Sequence, residues 1–584
     1  MFVKKIFNFN SILVISIFCF ALSFRLFSLN WDENQHLHPD ERFLTMLITT
    51  VKTPASFSQY LDTRNSPLNP FNYEQFSFFV YGTFPLFLTK YLGQIFNLNN
   101  YENIHFLGRV LSAIFDSLNI FSLYFLSKLF FLKNKKYLLF FPGLFYAFAV
   151  LPIQQSHFFT VDTFLNFFIL LSFVFLAYWI KKQKNIYLFF ASIAFALALS
   201  CKISAVLFSP IIFIFFLYQI FKNKIFPVKE IFIFIFISFF IFRFFQPYSF
   251  VGIFKINPDL ISSLKYLKSI LINKDVFYPP EIQWLSKTPL LYPLQNIIFF
   301  GLGLPLSFLF FLSFKNIFSL KIKKIFSSSS IFIIFSAVFW SVFLFFEQGL
   351  QFTHTMRYFL PIYPFICFLA VYLNLFWKNH LRIFIIILIF HLIYASLFMS
   401  IYTRPHSRIQ ASNWIYKNIP SNSVLANEYW DDPLPLFNPN YFNQYSIELL
   451  NLYDPDTSQK WLHINSILDK SDYIFLTSNR LWSSIPSVPD RYPISTNYYQ
   501  NLFDGDLNFK KIIEFNSYPG LSLPFLNKCI YFGPTNFPYL KNKNNWFEVD
   551  SNCNYSGVYL RDDIAEEAFS VYDHPKVIIF KKED

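Results

Sequence analysis

Residues 11–43 read SILVISIFCFALSFRLFSLNWDENQHLHPDERF. The first part, Ser11 to Leu29, is apolar and close to the ~20 residues an α-helix needs to cross a bilayer. It is too long for a signal-peptide core and no small-residue cleavage site follows, so it is expected to stay as a membrane span. The second part, Asn30 to Phe43, crowds Asp32, Glu33, His36, His38, Asp40, Glu41 and Arg42 into one short polar stretch. Ionisable groups set where an apolar chain leaves the bilayer are candidates for chemistry at the membrane face.

The rest of the chain extends this pattern. Of 584 residues, 54% are hydrophobic and 14% charged, with 87 Phe and a mean hydropathy of +0.39. A soluble fold of this size cannot hide so much apolar surface, so the composition predicts a polytopic helical membrane protein. Phe, Ile, Asn and Lys are in excess and Gly is scarce, a compositional bias that leaves no single Phe with an assigned role. Cys19, Cys201 and Cys367 lie in apolar runs and read as small core residues. Cys529 and Cys553 lie in the polar C-terminal part, where the sequence permits a disulfide but does not require one.

The net charge of +13 is no nucleic-acid signal. The lysines sit in short breaks between apolar runs: Lys4 and Lys5; Lys133, Lys135 and Lys136; Lys181, Lys182 and Lys184; Lys222, Lys224 and Lys229; Lys315, Lys321, Lys323 and Lys324; and Lys378 with Arg382. Under the positive-inside rule all of these are cytoplasmic. Counting crossings between them gives about eleven helices at roughly 20 residues each. The expected segments are 11–29, 103–132, 137–151, 162–180, 186–201, 203–221, 229–247, 294–314, 329–346, 358–377 and 383–401. The N-terminus is then cytoplasmic and the C-terminal part extracytoplasmic, in the plasma (inner) membrane. The domain reading is a transmembrane domain, 1–401, with outer loops 30–102 and 248–293, and an outer domain, 402–584. The outer domain is rich in Asn, Asp, Ser, Pro and Tyr. Tyr473–Leu476 and Val577–Phe580 have strand length and β-forming residues, and Ala411–Ile419 reads as a helix ended by Pro420, which predicts a mixed α/β fold.

Polar residues recur at the predicted outer ends of the spans. Asp40 and Glu41 follow His38-Pro39, and Pro39 favours a loop or a helix start. Arg109 lies early in the second span, with Asp116 two turns deeper. His157 and Asp162 occupy the next outer connection, Lys202 lies where a span turns back, and Arg357 opens the tenth span. A single such cation is ordinarily a snorkelling anchor. Several charges of both signs on one side point to a cavity holding an anion, with phosphate suited to the fork of Arg and the point charge of Lys. His36 and His38 at i and i+2 share no helix face and lack a third ligand nearby, so no metal ligand is assigned. The sequence requires no cofactor and leaves a divalent cation open. Trp284, in the loop 248–293 with Tyr278, Gln283 and Lys287, suits either a sugar face or the bilayer interface.

These residues carry a resemblance. HPDERF (38–43), VYGTFPLFL (80–88), GRVLSAIFD (108–116), IQQSHFFTVD (153–162), CKISA (201–205) and MRYFLPIYP (356–364) resemble the integral-membrane glycosyltransferases of the GT-C fold. The likeness is to the protein-mannosyltransferase and aminoarabinose-transferase branch, and it covers about residues 1–400. It implies a polyprenyl-phosphate sugar donor, a hydroxyl-bearing acceptor, membrane lipid around the site, and transfer with inversion. It implies Asp40 as catalytic base, with Glu41 orienting it or binding sugar. Arg357, Lys202 and Arg109 would hold the lipid phosphate or line its cavity, and Asp162, His157, His38, Tyr81 and Trp284 would line the sugar or acceptor cavity. The other readings are a lipid-linked oligosaccharide polymerase, ligase or transferase of the same fold, and a transporter or flippase. With only 12 Gly and polar groups at one face, the broken midplane helices of a transporter fit less well.

Overall fold

A computed structural model describes residues 9–130, 135–272, 278–317, 328–375, 379–441, 444–535, 546–551, 553 and 555–583. Lys4, Lys5, Lys133, Lys321, Lys323, Lys324 and Lys378 lie outside these residues. The chain forms two compact units: unit 1 comprises Met1–Leu29, Pro39–Ile272 and Pro293–Ala395, and unit 2 comprises Asn30–His38, Asn273–Tyr292 and Ser396–Asp584.

Unit 1 is helical. Among the described residues, six helices of the chain are long and apolar enough to cross a membrane, and Asn185–Cys201, Leu304–Ser313 and Met356–Tyr372 are shorter apolar helices. The chain is a multi-pass membrane protein by the length and composition of these helices. Residues that face outward are apolar, as lipid requires: Val228–Phe245 exposes Phe232, Ile235, Phe236 and Phe240, and His380–Met399 exposes Ile385, Ile386, Ile389 and Phe390. The segment expected to span at 137–151 does not form one rod. It breaks into the short helices Phe141–Ala147 and Val150–Ser156. The helices Pro39–Thr50, Thr83–Ile95 and Pro258–Ile272 lie between the apolar ones in the chain, and β1 (Phe250–Val251) pairs with β2 (Lys255–Ile256).

Two ion pairs fix the interior of unit 1. In the helix Phe9–Leu26 the buried positions Val14, Ile17, Ala21 and Arg25 form one stripe, so the burial side carries an arginine. Arg25 Nε donates to Asp116 Oδ2 at 2.7 Å, and its Nη1 donates to the carbonyls of Ala21 and Ala147 at 3.1 Å. Tyr146 donates to Asp116 Oδ1 at 2.5 Å, and Asn166 donates to the Tyr146 oxygen at 2.7 Å. Two turns earlier on the helix Tyr101–Ser117, about 10 Å along its axis, Arg109 forms the second pair with Glu41. Gly108 lets this helix close up: a Cβ there would lie 2.2 Å from the Phe159 ring.

Among the described residues, unit 2 carries two sheets. The first has the order β4–β3–β5–β11–β6, with β3 (Val424–Glu428), β4 (Ser446–Leu450), β5 (Tyr473–Leu476), β6 (Phe509–Phe515) and β11 (Val577–Lys582). Its β3 runs parallel to β4 and β5, and β11 antiparallel to β5 and β6. The second has the order β7–β10–β8–β9, with β7 (Gly520–Ser522), β8 (Cys529–Phe532), β9 (Phe547–Asp550) and β10 (Gly557–Leu560). Cys529 and Cys553 are joined by a disulfide. The composition boundary at 401 assigns Asn30–His38 and Asn273–Tyr292 to the membrane part, whereas in the structure they pack in unit 2. The reason is apolar burial: Trp31 is buried against His406, and Ile282 joins the core formed with Trp482, Ile464 and Tyr499.

Unit 2 also buries a charged triad. His574 is bonded through Nδ1 to Asp573 at 2.5 Å and through Nε2 to Asp562 at 2.7 Å, and Tyr402 donates to Asp573 at 2.8 Å. Burial alone would drive this imidazole neutral, but the two carboxylates outweigh it and raise its pKa to about 10.

Two predictions follow from these buried charges. Arg25→Leu leaves Asp116 charged and unpaired, which should cost about 3–5 kcal/mol. Arg25→Leu with Asp116→Asn should recover most of that loss in thermal melts of the purified protein, and equal melting of the single and double variants would refute the pairing role. For His574, the folded-state pKa lies above the unfolded value of about 6.5, so its stabilisation is complete below pH ~6.5 and is lost as pH rises through about 10. The melting gap between wild type and His574→Gln should therefore be widest near pH 6 and shrink toward pH 10. A gap constant over that range would contradict a charged imidazole.

Candidate active site

The acidic pair of HPDERF is divided by helix geometry. Pro39 opens the helix Pro39–Thr50, and Asp40 and Glu41 both lie in its first turn, where Pro and acidic residues are favoured. Consecutive residues point about 100° apart. Glu41 therefore turns inward and Asp40 turns to a more open side.

Glu41 is fully buried. It accepts from Arg109 Nε at 2.9 Å and Nη2 at 2.5 Å, and from the backbone N–H of Phe159 at 2.7 Å. Arg109 also donates to the Leu29 carbonyl at 2.5 Å. Arg109, expected at the lipid phosphate, is fully buried and bound on several sides. Glu41, expected beside the base, is held by the same pair in the first turn of the helix that carries Asp40.

Asp40 is ion-paired with Arg357, and their side chains are 21% and 28% exposed. Asp162 is ion-paired with Lys202 at 2.8 Å, with side-chain exposures of 6% and 23%. The two cations lie over one ring: Lys202 Nζ is 4.7 Å, and Arg357 Cζ 5.8 Å, from the centroid of Tyr358. Tyr81 joins the group by backbone, through an isolated antiparallel bridge to Lys202. The adjacent Gly82 N–H donates to the Cys201 carbonyl at 2.9 Å. Gly82 is required for that approach, because a Cβ would lie 2.1 Å from the Ser200 carbonyl oxygen. Burial, then the neighbouring Asp40 carboxylate, to which it is hydrogen-bonded, holds the Tyr81 phenol protonated, well above its ordinary pKa.

Asp40, Tyr81, Asp162, Lys202 and Arg357 are thus brought together by five separate stretches of unit 1. Asp162 opens the helix Asp162–Lys182 and Lys181 and Lys182 end it, so the cluster lies about 30 Å from those lysines, at the other end of the span. Three other expected residues fall elsewhere. His157 is fully buried with Nδ1 on the Ile153 carbonyl at 2.9 Å and Nε2 on the Phe27 carbonyl at 3.0 Å, which makes it an internal tie. His38 is buried in unit 2, its ring 4.4 Å from that of Tyr572, and Trp284 is buried there beside Tyr292. Among the described residues, no group of three or more His, Cys, Asp or Glu is placed to hold a metal ion.

Sequence reasoning missed Arg25 and Tyr358. Arg25 could have been found as the lone cation in an apolar run, which needs an anion in the bundle. Tyr358 stands next to Arg357 but carries no pattern of its own.

Comparisons with known proteins bear on this cluster. The family model described as dolichyl-phosphate-mannose-protein mannosyltransferase matches residues 87–245, the stretch with Arg109, Asp116, Asp162 and Lys202. The resemblance read from the motifs is found again in that match. No curated protein matches the chain. Among solved structures, the chain is similar to the Archaeoglobus fulgidus oligosaccharyltransferase in the apo form at 12% identity, covering 83% of this chain and 72% of that one, with a TM-score of 0.48. It is also similar to the Archaeoglobus fulgidus oligosaccharyltransferase AglB in complex with an inhibitory peptide and a dolichol-phosphate (12% identity, 85% and 72%, TM-score 0.49). A third likeness is to ArnT from Cupriavidus metallidurans bound to undecaprenyl phosphate (13% identity, 79% and 88%, TM-score 0.42).

Proposed function

We propose that this chain is a glycosyltransferase that moves a sugar from a polyprenyl-phosphate-linked donor to a hydroxyl acceptor at the extracytoplasmic membrane face. The acceptor is a glycolipid, a protein or a cell-envelope glycan. The observation that carries the reading is the pair of part-exposed carboxylate–cation contacts, Asp40–Arg357 and Asp162–Lys202, whose cations both lie over the ring of Tyr358. The family model matching residues 87–245 supports it, since that family is named for a sugar carried on a polyprenyl phosphate.

The chemistry follows from the charges. The donor phosphate draws Arg357 and Lys202 to itself, and Asp40 is released as a proton acceptor. Asp40 takes the proton of the acceptor hydroxyl while that oxygen attacks the anomeric carbon from the face opposite the phosphate. The bond from the anomeric carbon to the phosphate oxygen breaks, its electron pair stays on the phosphate, and the configuration inverts. Arg357 and Lys202 stabilise the charge that gathers on the leaving phosphate. Asp162 holds Lys202 in position, and Glu41 with Arg109 holds the helix of Asp40. In this reading the lysine clusters face the cytoplasm, the chain crosses the plasma membrane about eleven times, and unit 2 is extracytoplasmic.

Asp40→Asn keeps the size of the side chain and removes the base. Turnover with a polyprenyl-phosphate sugar should fall about 10²–10⁴-fold, the range for general-base catalysis, while binding of undecaprenyl phosphate survives. Full transfer by this variant, with Asp162→Asn inactive, would move the base to Asp162 and overturn the assignment. Arg357→Ala should weaken undecaprenyl phosphate about 10–100-fold, the worth of a charged hydrogen bond, in a binding assay by native mass spectrometry. Arg357→Lys should restore part of the loss, because the fork geometry is gone. Unchanged binding by Arg357→Ala would remove it from the phosphate site.

A further inference from the structure

The second sheet of unit 2 has two apolar faces. Side chains alternate along a strand, so registered neighbours share a side. One face buries Tyr531, Tyr559 and Cys529 with Tyr518. On the opposite face the register sets Leu521 of β7, Val558 of β10, Ile530 of β8 and Val549 of β9 in one row. Leu560, Phe532 and Phe547 form a second row beside it. Leu521 is 54% exposed and Phe547 53%, and the other five are exposed or half-buried.

The acids of β9 do not interrupt these rows. Glu548 and Asp550 alternate to the other side, where Arg561 pairs with Glu548. Phe525 and Trp546, both well exposed, bound the face at opposite ends of the strands. A solvated sheet face ordinarily carries polar residues. A contiguous apolar patch marks a surface that something apolar covers.

The attachment of the sheet points to what that is. The last turn of the apolar helix His380–Met399 belongs to unit 2, and Ser400 follows it directly. The Gly520 N–H in β7 donates to Ser400 Oγ at 3.0 Å, and Arg404 donates to the Tyr518 carbonyl at 2.5 Å. The Arg404 guanidinium also lies 5.0 Å from the Tyr559 ring centroid. The sheet is thus fastened at the residue where the chain leaves an apolar helix, and β9 is only three strand spacings, about 14 Å, from β7. That keeps the whole face within reach of the lipid headgroups. Trp, Phe and Leu with no charge among them are the residues of an interfacial surface. Lys528, exposed between Phe525 and β8, suits a lipid phosphate at its edge.

We infer that this face seats unit 2 on the bilayer, with Leu521, Phe525, Phe532 and Phe547 entering the boundary between headgroups and acyl chains. The inference rests on unit 2 and the helix that leads into it, not on the transfer chemistry, so either can fail without the other.

The test places a nitroxide on the full chain in phosphatidylcholine–phosphatidylglycerol nanodiscs, at Leu521→Cys or Phe547→Cys. The background is Cys19→Ser, since Cys201 and Cys367 are buried and Cys529 is joined to Cys553. Power saturation compares collisions with oxygen, which enters hydrocarbon, and with a nickel chelate, which stays in water. Both labels should favour oxygen and read about 5–10 Å below the lipid phosphates, the depth of interfacial apolar faces. A label at Leu462→Cys, on a 73% exposed position of the helix Ser458–Lys470, should favour the chelate. If the thiol at Phe547→Cys disturbs the disulfide, Leu521→Cys on the far edge strand carries the test. Chelate access equal to that at Leu462 would show the face in water. Labels reached by neither reagent would show it covered by protein, a second copy or another part of this chain. Either result would overturn the inference.

Discussion

A charge carried into hydrocarbon must meet its counter-charge inside the protein. Unit 1 is arranged around that constraint. Among the described residues it contains four carboxylate–cation pairs, and they differ in how far water reaches them. Arg25–Asp116 and Arg109–Glu41 are sealed, with no exposure on either side. Asp162–Lys202 and Asp40–Arg357 are partly open. A sealed pair cannot exchange partners without stranding a buried charge, so it acts as architecture. An open pair can exchange, because water or an incoming anion covers whatever is left behind. The division between framework pairs and exchangeable pairs therefore follows from solvent access, not from residue type.

The same constraint explains why adjacent acids in one motif part ways. Asp40 and Glu41 share a helix turn, and the turn sends one into the bundle and the other toward the open pairs. The buried member needs several donors at once, and Arg109 with the Phe159 N–H supplies them. That lock fixes the helix and so fixes where Asp40 stands. On the opposite side of the cluster, the bare Cα of Gly82 lets two backbones touch and sets Lys202 beside Tyr81. Pre-set positions of this kind matter for a reaction that relies on fixed charge, since nothing has to reorganise as charge moves to the leaving group.

Much of this was legible in the sequence. Apolar runs fall on helices because lipid leaves the backbone no other way to satisfy its hydrogen bonds. Asp40, Asp162, Lys202 and Arg357 stood out because charges are rare in such a chain. What the sequence left undecided was pairing. Arg109 and Lys202 look alike on the page, each a cation near a predicted outer end, yet one is sealed against Glu41 and the other opens onto a ring. Burial depends on neighbours from distant segments, such as Phe159 above the Glu41 carboxylate, and no local pattern records it. His157 misled for the same reason: a histidine beside Asp162 reads as a site residue until its two ring nitrogens are found on carbonyls.

Compactness divides the chain differently from composition. The polar stretch 402–584 looks self-contained, but two short pieces from far upstream complete it. Trp31 and Ile282 are each too apolar to stay in a water-facing loop, and each is buried in unit 2. Their burial has a structural consequence. A loop pinned by Ile282 must run along the surface of unit 2 on its way back to the spans, and Gln283, Lys287 and Tyr292 then follow within one short stretch. Ile282 shares its core with Ala426, Ile474 and Ile578 of the first sheet, so the same apolar contact that buries the loop also sets where its polar side chains stand.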